Sequence, residues 1–357
     1  MFLFDVLGKG FSFLGLGKSV RRIGSSTALY IAVFSLFFLL TSCDKGTTVK
    51  KQEITLYTAV DEPVARPIIA EFEKSTGIHV NLVLDSEATK TAGLADRLEA
   101  ERDNPQADVF WCNEPFHTVY LAEAGVLAAY ESPAAKDIPA TCKDNQHRWA
   151  GTALRLRVIA ASPEKANEIK GIMDMLRPEF RGKIAMASPG IGTTGGHISA
   201  IYTLLGDKGG DDFFIKLKKN DLKLVGGNSM VADGVGHGQF IVGLTDNDDC
   251  ANTLGENGKL TMIIPDQTKD GLGTLLIPCS VSLIKNGPHT EAGKKLVDYL
   301  LSKKVEDQLL AVGFAKYPVY PSPSGPIPVH AMNVSIRETA MNMKRAIGRA
   351  RNILLEK

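Results

Sequence analysis

Short apolar segments alternate with amphipathic segments along most of this sequence. Strands are predicted at Ile54–Thr58 and His79–Leu84, and between them apolar residues recur at helical spacing from Pro63 until Gly77. The same reading predicts a helix at Leu94–Arg102, a strand at Ala107–Trp111, a helix at Pro115–Ala124 and a strand at Leu154–Ala161. Strands that alternate with helices indicate an α/β fold in which mainly parallel sheets are flanked by helices.

Two long apolar stretches, 154–161 and 273–284, separate these units into two sets. We interpret both stretches as crossings between two lobes, because 357 residues exceed the usual size of a single domain. The predicted first part of lobe 1 is 53–153, lobe 2 is 154–275, and 276–357 returns to lobe 1 with its C-terminal helices. The basic amphipathic segment Ile336–Glu356 is predicted to pack on the first lobe, with a helix lying on a membrane surface as the alternative.

The first 42 residues have the pattern of a signal peptide. Basic residues end at Arg22, and an apolar run of about a dozen residues follows at Leu29–Leu40, which is shorter than the roughly 20 that span a bilayer. Leu40–Cys43 resembles the bacterial lipobox, which implies that Cys43 is acylated and becomes the new N-terminus. Residues 43–52 then form a polar tether, and the protein is expected at the cell membrane, held by lipid on the periplasmic face or the cell surface.

Composition and motifs restrict the function. With 44% hydrophobic residues, 23% charged residues and a formal net charge of +1, the chain is globular and shows no preference for nucleic acid. The sequence contains neither a G-x-S-x-G nor an H-E-x-x-H motif, so an exported enzyme is the less favoured class. We expect a monomeric binding protein without chemistry of its own. A receptor subunit that reports its ligand to a membrane sensor remains an alternative.

Four cysteines follow the predicted tether, at positions 112, 142, 250 and 279. In an oxidising compartment they allow two disulfides, whose pairing the sequence leaves open, or they are buried free thiols. The spacing includes no C-x-x-C pair, which argues against a structural zinc site.

Several sequence blocks, taken in order, resemble the extracellular solute-binding proteins of ABC importers, especially the ferric-iron-binding branch. The matching blocks are Ile54–Pro63, Glu71–Val80, Ala107–Trp111, Gly192–Gly196, Gly227–Ser229, Gly243–Asp249, Gly273–Pro278 and Ala292–Leu301. The resemblance implies the type 2 periplasmic-binding-protein fold, with two lobes that close over a ligand in the cleft between them. It also implies delivery of a small molecule or ion to an ABC permease, and no resident cofactor.

A threonine- and glycine-rich turn after Gly192 predicts an anion site, because backbone amides at a helix start favour negative charge. In the relatives the equivalent turn holds a phosphate or carbonate that shares the metal ion, and a nearby asparagine assists. The residues that the resemblance assigns to the anion are Thr193, Thr194, Gly195, Gly196 and Asn228. A plain helix cap is the alternative interpretation.

The expected metal half of the site departs from the iron-binding pattern. The relatives have adjacent tyrosines where this chain has Asp248-Asp249, a histidine at Asp61 and a glutamate at Asn113; no tyrosine pair occurs anywhere in the sequence. Carboxylate and amide oxygens bind hard cations, and they also bind organic ammonium groups. The candidate ligands for a cation or polar group are Asp61, Glu62, Asn113, Glu114, Asp246, Asp248 and Asp249.

Two ligand classes therefore remain open. One is a ferric-type ion with a synergistic anion, for which Asp61, Asp248 and Asp249 are the candidate metal ligands. The other is a phosphonate, a phosphate or another small organic ion, including a zwitterion such as an aminophosphonate. We also expect Asp248 and Asp249 to lie on the surface, so that replacing both changes stability little.

Overall fold

The computed structural model describes residues 52–85, 90–322 and 325–356. The predicted signal peptide (1–42), the predicted lipidation site Cys43 and the rest of the predicted tether except Gln52 lie outside these residues. Among the helices that are described, none has the length and apolar character to cross a membrane.

Strands and helices alternate over the described chain. The strands are β1 (Glu53–Thr58), β2 (His79–Leu84), β3 (Val109–Cys112), β4 (Ala150–Ala161), β5 (Ile184–Ala187), β6 (Lys223–Val225), β7 (Val242–Asp246), β8 (Thr261–Ile263), β9 (Leu276–Leu283) and β10 (Tyr317–Pro318). The helices are α1 (Glu62–Thr76), α2 (Ala92–Ala100), α3 (Phe116–Glu123), α4 (Thr193–Lys219), α5 (Asn228–Gly236), α6 (Asn247–Gly255), α7 (Thr290–Leu300), α8 (Lys303–Ala311) and α9 (Ile336–Leu355). The predicted elements up to residue 161 are all present, with boundaries displaced by a few residues.

The main sheet is mixed. Its strand order is β2-β1-β3-β9-β4-β7-β5-β6, with β8 and β10 also paired to β4. Strands β2, β1 and β3 are mutually parallel, and so are β7, β5 and β6. The strands between these two groups, β9 and β4, pair antiparallel with their neighbours. The predicted parallel arrangement thus holds within each outer group, and the chain reverses direction where the groups join.

Strand β4 connects the two groups by changing its partner. Its first part pairs with β9 as far as Leu156, and from Arg157 onward it pairs with β7. We call the side of β1 to β3 the first lobe and the side of β5 to β7 the second lobe. The predicted boundary at 153/154 falls inside β4, and the one at 275/276 falls at the start of β9.

Buried apolar clusters fill both faces of the sheet in each lobe. In the first lobe, α1, α7 and α8 cover one face, and α2 and α3 cover the other. Trp111 and Tyr57, which end strands near the cleft, are fully buried in these two clusters and therefore belong to the core. In the second lobe, α4 and α9 cover one face and α5 the other.

The C-terminal helix α9 packs on both lobes. Its Arg337 side chain pairs with Glu123 of α3 at 3.0 Å in the first lobe. Further along, Arg349 pairs with Asp211 of α4, and Ala350 is buried in the apolar cluster of the second lobe. The prediction that this segment packs on the first lobe is therefore correct only for the beginning of α9. Most of α9 lies along α4 of the second lobe.

The four described cysteines are all free. Cys112 and Cys279 lie on neighbouring strands, but their side chains are buried in clusters on opposite faces of the sheet. Alternation of side chains along each strand therefore keeps this pair apart.

Close packing between the lobes depends on a glycine in the first turn of α4. A Cβ atom on Gly196 would lie 2.2 Å from the ring of Phe116 in α3. We expect Gly196→Ala to lower the free energy of unfolding by about 1–3 kcal/mol, because the ring and the helix must separate.

Gly348→Ala is the matched control, because it adds a methyl group to a helix position with no atom within 4 Å. This control should raise the free energy of unfolding by roughly 0.5–1 kcal/mol. Urea denaturation of both variants measures the two effects, and equal stability of the two variants would contradict the predicted contact.

Candidate functional site

A buried cluster of charges lies where β4 changes its partner. Arg155 and Arg157, two residues apart on the strand, are 3% and 0% exposed. The Arg155 Nη2 atom donates to both carboxylate oxygens of Asp248 at 2.6 Å and to Asp246 at 3.1 Å. Arg157 Nη1 donates to the other oxygen of Asp246 at 2.8 Å. Because buried charges are tolerated when they are paired and hydrogen-bonded, these four side chains depend on one another.

Asp246, the last residue of β7, joins this cluster to the starts of two helices. Its Oδ2 atom accepts hydrogen bonds from the Thr193 hydroxyl at 2.6 Å and from the Asn228 amide at 3.3 Å. Asn228 also donates to Thr193 at 2.9 Å and accepts from the Thr194 hydroxyl at 2.9 Å. The start of α4 and the start of α5 are therefore held against each other by one carboxylate.

The protonation states of the cluster follow from its charges. Burial alone would raise the pKa of Asp246, but the Arg155 and Arg157 guanidinium groups outweigh it and lower the pKa below its ordinary value. Burial, reinforced by Arg157, lowers the pKa of His197 to about 3. His197 is therefore neutral at physiological pH, and its Nδ1 atom can accept a hydrogen bond from Arg157 Nε at 3.4 Å.

A small cavity of about 20 Å³ opens beside the cluster, between the lobes. The first lobe lines it with Lys90 and Asn113, and the crossing strand adds Arg155. The second lobe contributes residues at the starts of α4 and α5 and at the end of β7: Ile191, Gly192, Thr193, Gly227, Asn228, Ser229, Asp246 and Asp249. A second, more open cavity of about 410 Å³ shares Lys90, Ser229 and Asp249 with the first. Together they form the cleft, in which the larger cavity has room for a small ligand.

The helix starts differ in what they present to this cavity. In the first turn of α4, the amides of Thr194 and Gly195 donate to Ile191 and Gly192 carbonyls at 3.2 and 3.3 Å. At α5, Gly227, Asn228 and Ser229 all line the cavity, and the first amides of a helix have no carbonyl acceptor within their own helix. The start of α5 therefore has several first-turn amides that can receive a negative charge, beside the part of the predicted turn at Gly192 and Thr193 that lines the same cavity.

Arg155 retains a donor for a ligand. Its Nε atom is buried and has no hydrogen-bond partner among the described residues, although the side chain lines the cavity. Buried polar groups are nearly always paired in native proteins, so this unpaired donor, on a side chain that lines the cavity, is compatible with an acceptor nearby. A carboxylate or phosphonate oxygen has the charge and geometry that arginine prefers.

Asp249 lines both cavities, and no arginine among the described residues pairs with it. Its Oδ2 atom accepts the Thr245 hydroxyl at 3.1 Å. Burial and then the neighbouring charges of Asp248 and Asp246 raise the pKa of Asp249 well above its ordinary value. A cationic group on a ligand would lower that pKa and restore the charged form.

The predicted residues of the first lobe have separate partners. Asp61 lines the larger cavity and pairs with Lys90 at 2.6 Å, and Glu62 beside it pairs with Arg66 on the exposed face of α1. Asn113 lines the smaller cavity. Glu114 is buried away from both cavities as described, where it accepts the backbone amide of Phe116 at 2.6 Å and caps α3.

Two glycines of the predicted anion turn have a packing role. Gly195 lies against Ile347 of α9, where a Cβ would come within 3.0 Å, and Gly196 lies against Phe116. Neither lines the cavity, nor does Thr194, whereas Thr193 does. Their role in ligand binding stays a prediction.

A metal ion fits the predicted carboxylates poorly. Oxygen atoms of Asp246, Asp248 and Asp249 lie within 4.8 Å of one another, which is close enough to share a cation. However, Arg155 already occupies both oxygens of Asp248, and arginines contact both oxygens of Asp246. A cation at this point would meet two guanidinium groups. Asp61 lies outside the cluster and pairs with Lys90.

The structure also overturns the expectation that Asp248 is a surface residue. It is 3% exposed and paired with Arg155. The sequence reasoning missed Lys90, Arg155 and Arg157 as members of the site. The one available signal was the pair of arginines within an otherwise apolar strand, because unpaired charges are excluded from such a strand.

Comparisons with known proteins agree with this architecture. A family model described as "Bacterial extracellular solute-binding protein" matches residues 54–315. The putative 2-aminoethylphosphonate-binding periplasmic protein of Salmonella paratyphi A is 27% identical over 241 residues, which is 67% of this chain and 69% of the relative. The Fe(3+)-binding periplasmic protein of Serratia marcescens is 28% identical over 196 residues, 54% and 56% of the two chains.

Among solved structures, the ferric binding protein from Campylobacter jejuni superposes with a TM-score of 0.75. The match covers 84% of this chain and 99% of that one at 21% identity. The fold is therefore the two-lobed type 2 periplasmic-binding-protein fold, with the cleft between the lobes.

Burial raises the pKa of both neighbouring carboxylates of α6, that of Asp248 to about 6, but only Asp248 is paired with Arg155. Because the pKa of Asp249 is raised in the folded protein, its carboxyl group costs stability as soon as the unfolded chain ionises, that is, as the pH rises above the ordinary carboxyl pKa of about 4. The loss is complete once Asp249 ionises in the folded protein as well. We expect Asp249→Asn to match the wild type only near pH 3 and to become more stable than it as the pH rises toward about 9.

Asp248→Asn is the matched control, because it leaves the buried Arg155 with a weakened partner. It should lower the free energy of unfolding by about 3–5 kcal/mol at neutral pH. Urea denaturation of both variants across this pH range checks the signs. If both variants changed the free energy of unfolding in the same way, the pairing of Asp248 with Arg155 would not contribute to stability.

Proposed function

Because this chain belongs to the bacterial extracellular solute-binding proteins, we propose that it captures a small oxyanion bearing a cationic group and delivers it to an ABC importer. An aminophosphonate is the ligand of this kind that we propose first. The 2-aminoethylphosphonate named for the Salmonella relative belongs to that chemical class. The protein itself carries out no reaction in this proposal.

The strongest support for an oxyanion is Arg155, whose side chain lines the cavity and whose buried Nε donor has no partner among the described residues. Lys90 lines the same cavity from the first lobe, and the start of α5 lies on the second. An oxyanion placed between them would contact both lobes. Because a ligand stabilises the closed form through contacts that the open form lacks, such a position would favour closure.

Support for a cationic group on the same ligand comes from Asp249. It lines both cavities, so a group extending from the smaller cavity toward the larger one would pass this carboxylate. Arg155 and Arg157 balance Asp246 and Asp248, and Lys90 balances Asp61. A ligand with opposite charges at its two ends matches a site with this distribution.

A ferric ion with a synergistic anion is the second candidate. It is favoured by the cluster of three carboxylates and by the name of the Serratia relative. The arginines inside that cluster and the missing tyrosine pair argue against it. In this alternative the iron is cargo, and the anion would lie at the start of α5.

Export and anchoring complete the proposal. The family is extracellular, and the leader with its lipobox-like Leu40–Cys43 would deliver the protein to the outer face of the cytoplasmic membrane or the cell surface. An acylated Cys43 would hold the binding unit near the permease, since multiple acyl chains give stable membrane attachment.

Isothermal titration calorimetry of the unlipidated protein with 2-aminoethylphosphonate and with ethylphosphonate, which lacks the amine, tests the ligand. We expect the wild type to bind the amine-bearing compound more tightly. Asp249→Asn should weaken the binding of 2-aminoethylphosphonate by about 10- to 100-fold, which is the value of a charge-assisted hydrogen bond, and leave the affinity for ethylphosphonate nearly unchanged. Asn228→Ala should weaken the binding of both compounds.

Ferric citrate and inorganic phosphate are the comparison ligands, and native mass spectrometry of gently purified protein identifies what is carried. We expect no visible charge-transfer colour with iron, because the tyrosine pair is absent. Iron binding without any phosphonate binding would replace the proposed ligand with the second candidate.

Anchoring has a separate test in the full-length chain. Wild-type protein expressed in a bacterium should fractionate with membranes and incorporate radiolabelled palmitate. Cys43→Ser should abolish both signals without changing ligand affinity. If radiolabelled palmitate were still incorporated into Cys43→Ser, acylation would take place at another residue.

A further inference from the structure

One end of the second lobe is strongly basic. Three segments meet there: 181–183 before β5, 215–223 at the end of α4 and the start of β6, and 351–356 at the end of α9. The amide of Gly182 donates to the carbonyl of Asn220 at 3.0 Å, and the Lys218 ammonium donates to the carbonyl of Glu356. We call these three segments the basic pole.

The charge of the basic pole is mainly positive. Its seven basic residues are Arg181, Lys183, Lys216, Lys218, Lys219, Lys223 and Arg351, and its two acidic residues are Asp221 and Glu356. Asp221 is paired with Lys223 at 2.8 Å. Within the described part of the chain, Lys216 and Lys219 have no ion-pair partner, and both are exposed. The whole chain carries a net charge of only +1, so this excess is local.

The basic pole is remote from the ligand cleft. Strands β5 and β6 run from this end toward the cleft, where Thr193 and Asn228 follow them. The helical segment α4, which is interrupted at Gly206, starts at the cleft and ends at the pole. Helix α9 lies beside it in the same direction, as the pairs Ser199–Thr339 and Lys218–Glu356 show. The positive charge of the basic pole therefore has no part in the ligand site.

Exposed apolar side chains lie among the lysines. Ile215, next to Lys216 on α4, is 38% exposed, and Leu355 at the end of α9 is 54% exposed. Basic side chains combined with exposed aliphatic ones are typical of surfaces that lie on anionic bilayers, where cations contact headgroups and apolar groups enter the interface. A nucleic acid or an acidic protein would use the lysines without those apolar groups.

We propose that the basic pole binds an anionic phospholipid surface. Two apolar side chains contribute little area, so the attraction is mainly electrostatic and should weaken as salt screens it. This contact is independent of the ligand and of acylation at Cys43. It would add a second attachment to the membrane on which the protein delivers its cargo.

Vesicle co-sedimentation of the compact unit that follows Lys50, without the leader, tests this contact. We expect binding to vesicles that contain phosphatidylglycerol, no binding to pure phosphatidylcholine, and a loss of at least about fivefold between low and high salt. The double variant Lys216→Glu with Lys219→Glu should reduce binding to anionic vesicles at least about fivefold and leave ligand affinity unchanged.

A double variant with the same change in net charge is the control. Lys136 and Lys285 lie in the first lobe, are exposed, and have no ion-pair partner in the described chain. Lys136→Glu with Lys285→Glu should retain vesicle binding. Circular dichroism melts establish that both double variants fold. The proposal is overturned by an absence of binding to anionic vesicles, by an equal loss in the control variant, or by binding to heparin without binding to vesicles.

Discussion

The buried pairing of Arg155 and Arg157 with Asp246 and Asp248 is the interaction on which the rest of this structure depends. Removing one ion from such a group costs about 3–5 kcal/mol, because its partner remains charged away from water. The arginines lie where β4 exchanges β9 for β7, and the carboxylates lie where β7 leads into α6. The charges therefore fasten the second lobe to the strand that crosses between lobes.

The same cluster determines the geometry of the cleft. Asp246 holds Thr193 and Asn228, so the starts of α4 and α5 cannot move independently. The first turn of α4 also meets the first lobe on two sides. Its Gly192 amide donates to the Lys90 carbonyl at 3.2 Å in the cleft, and Gly196 packs on Phe116 behind it. Contacts between the lobes thus meet at one helical turn, in the cleft and behind it.

The fold is shared with a ferric-binding protein, but the charges in this cleft do not match those that a trivalent cation needs. A site for a trivalent cation needs oxygen ligands that are free to donate, as phenolates are, whereas here guanidinium groups occupy two of three adjacent carboxylates. The lobes, the strand order and the helix starts can remain while a few side chains reverse the preferred charge. Fold and ligand are thus decided by different residues, which is a general property of binding proteins.

The sequence by itself determined the features that depend on local periodicity. Alternating apolar segments specified the α/β units through residue 161, and the ordered blocks specified the two-lobed fold. Tertiary structure alone decided that Asp248 is buried, that Gly195 and Gly196 pack against Ile347 and Phe116, and that the starts of α4 and α5 line one cavity. The physical reason is separation along the chain: Arg155 meets Asp248 across 93 positions, and no local pattern records such a partner.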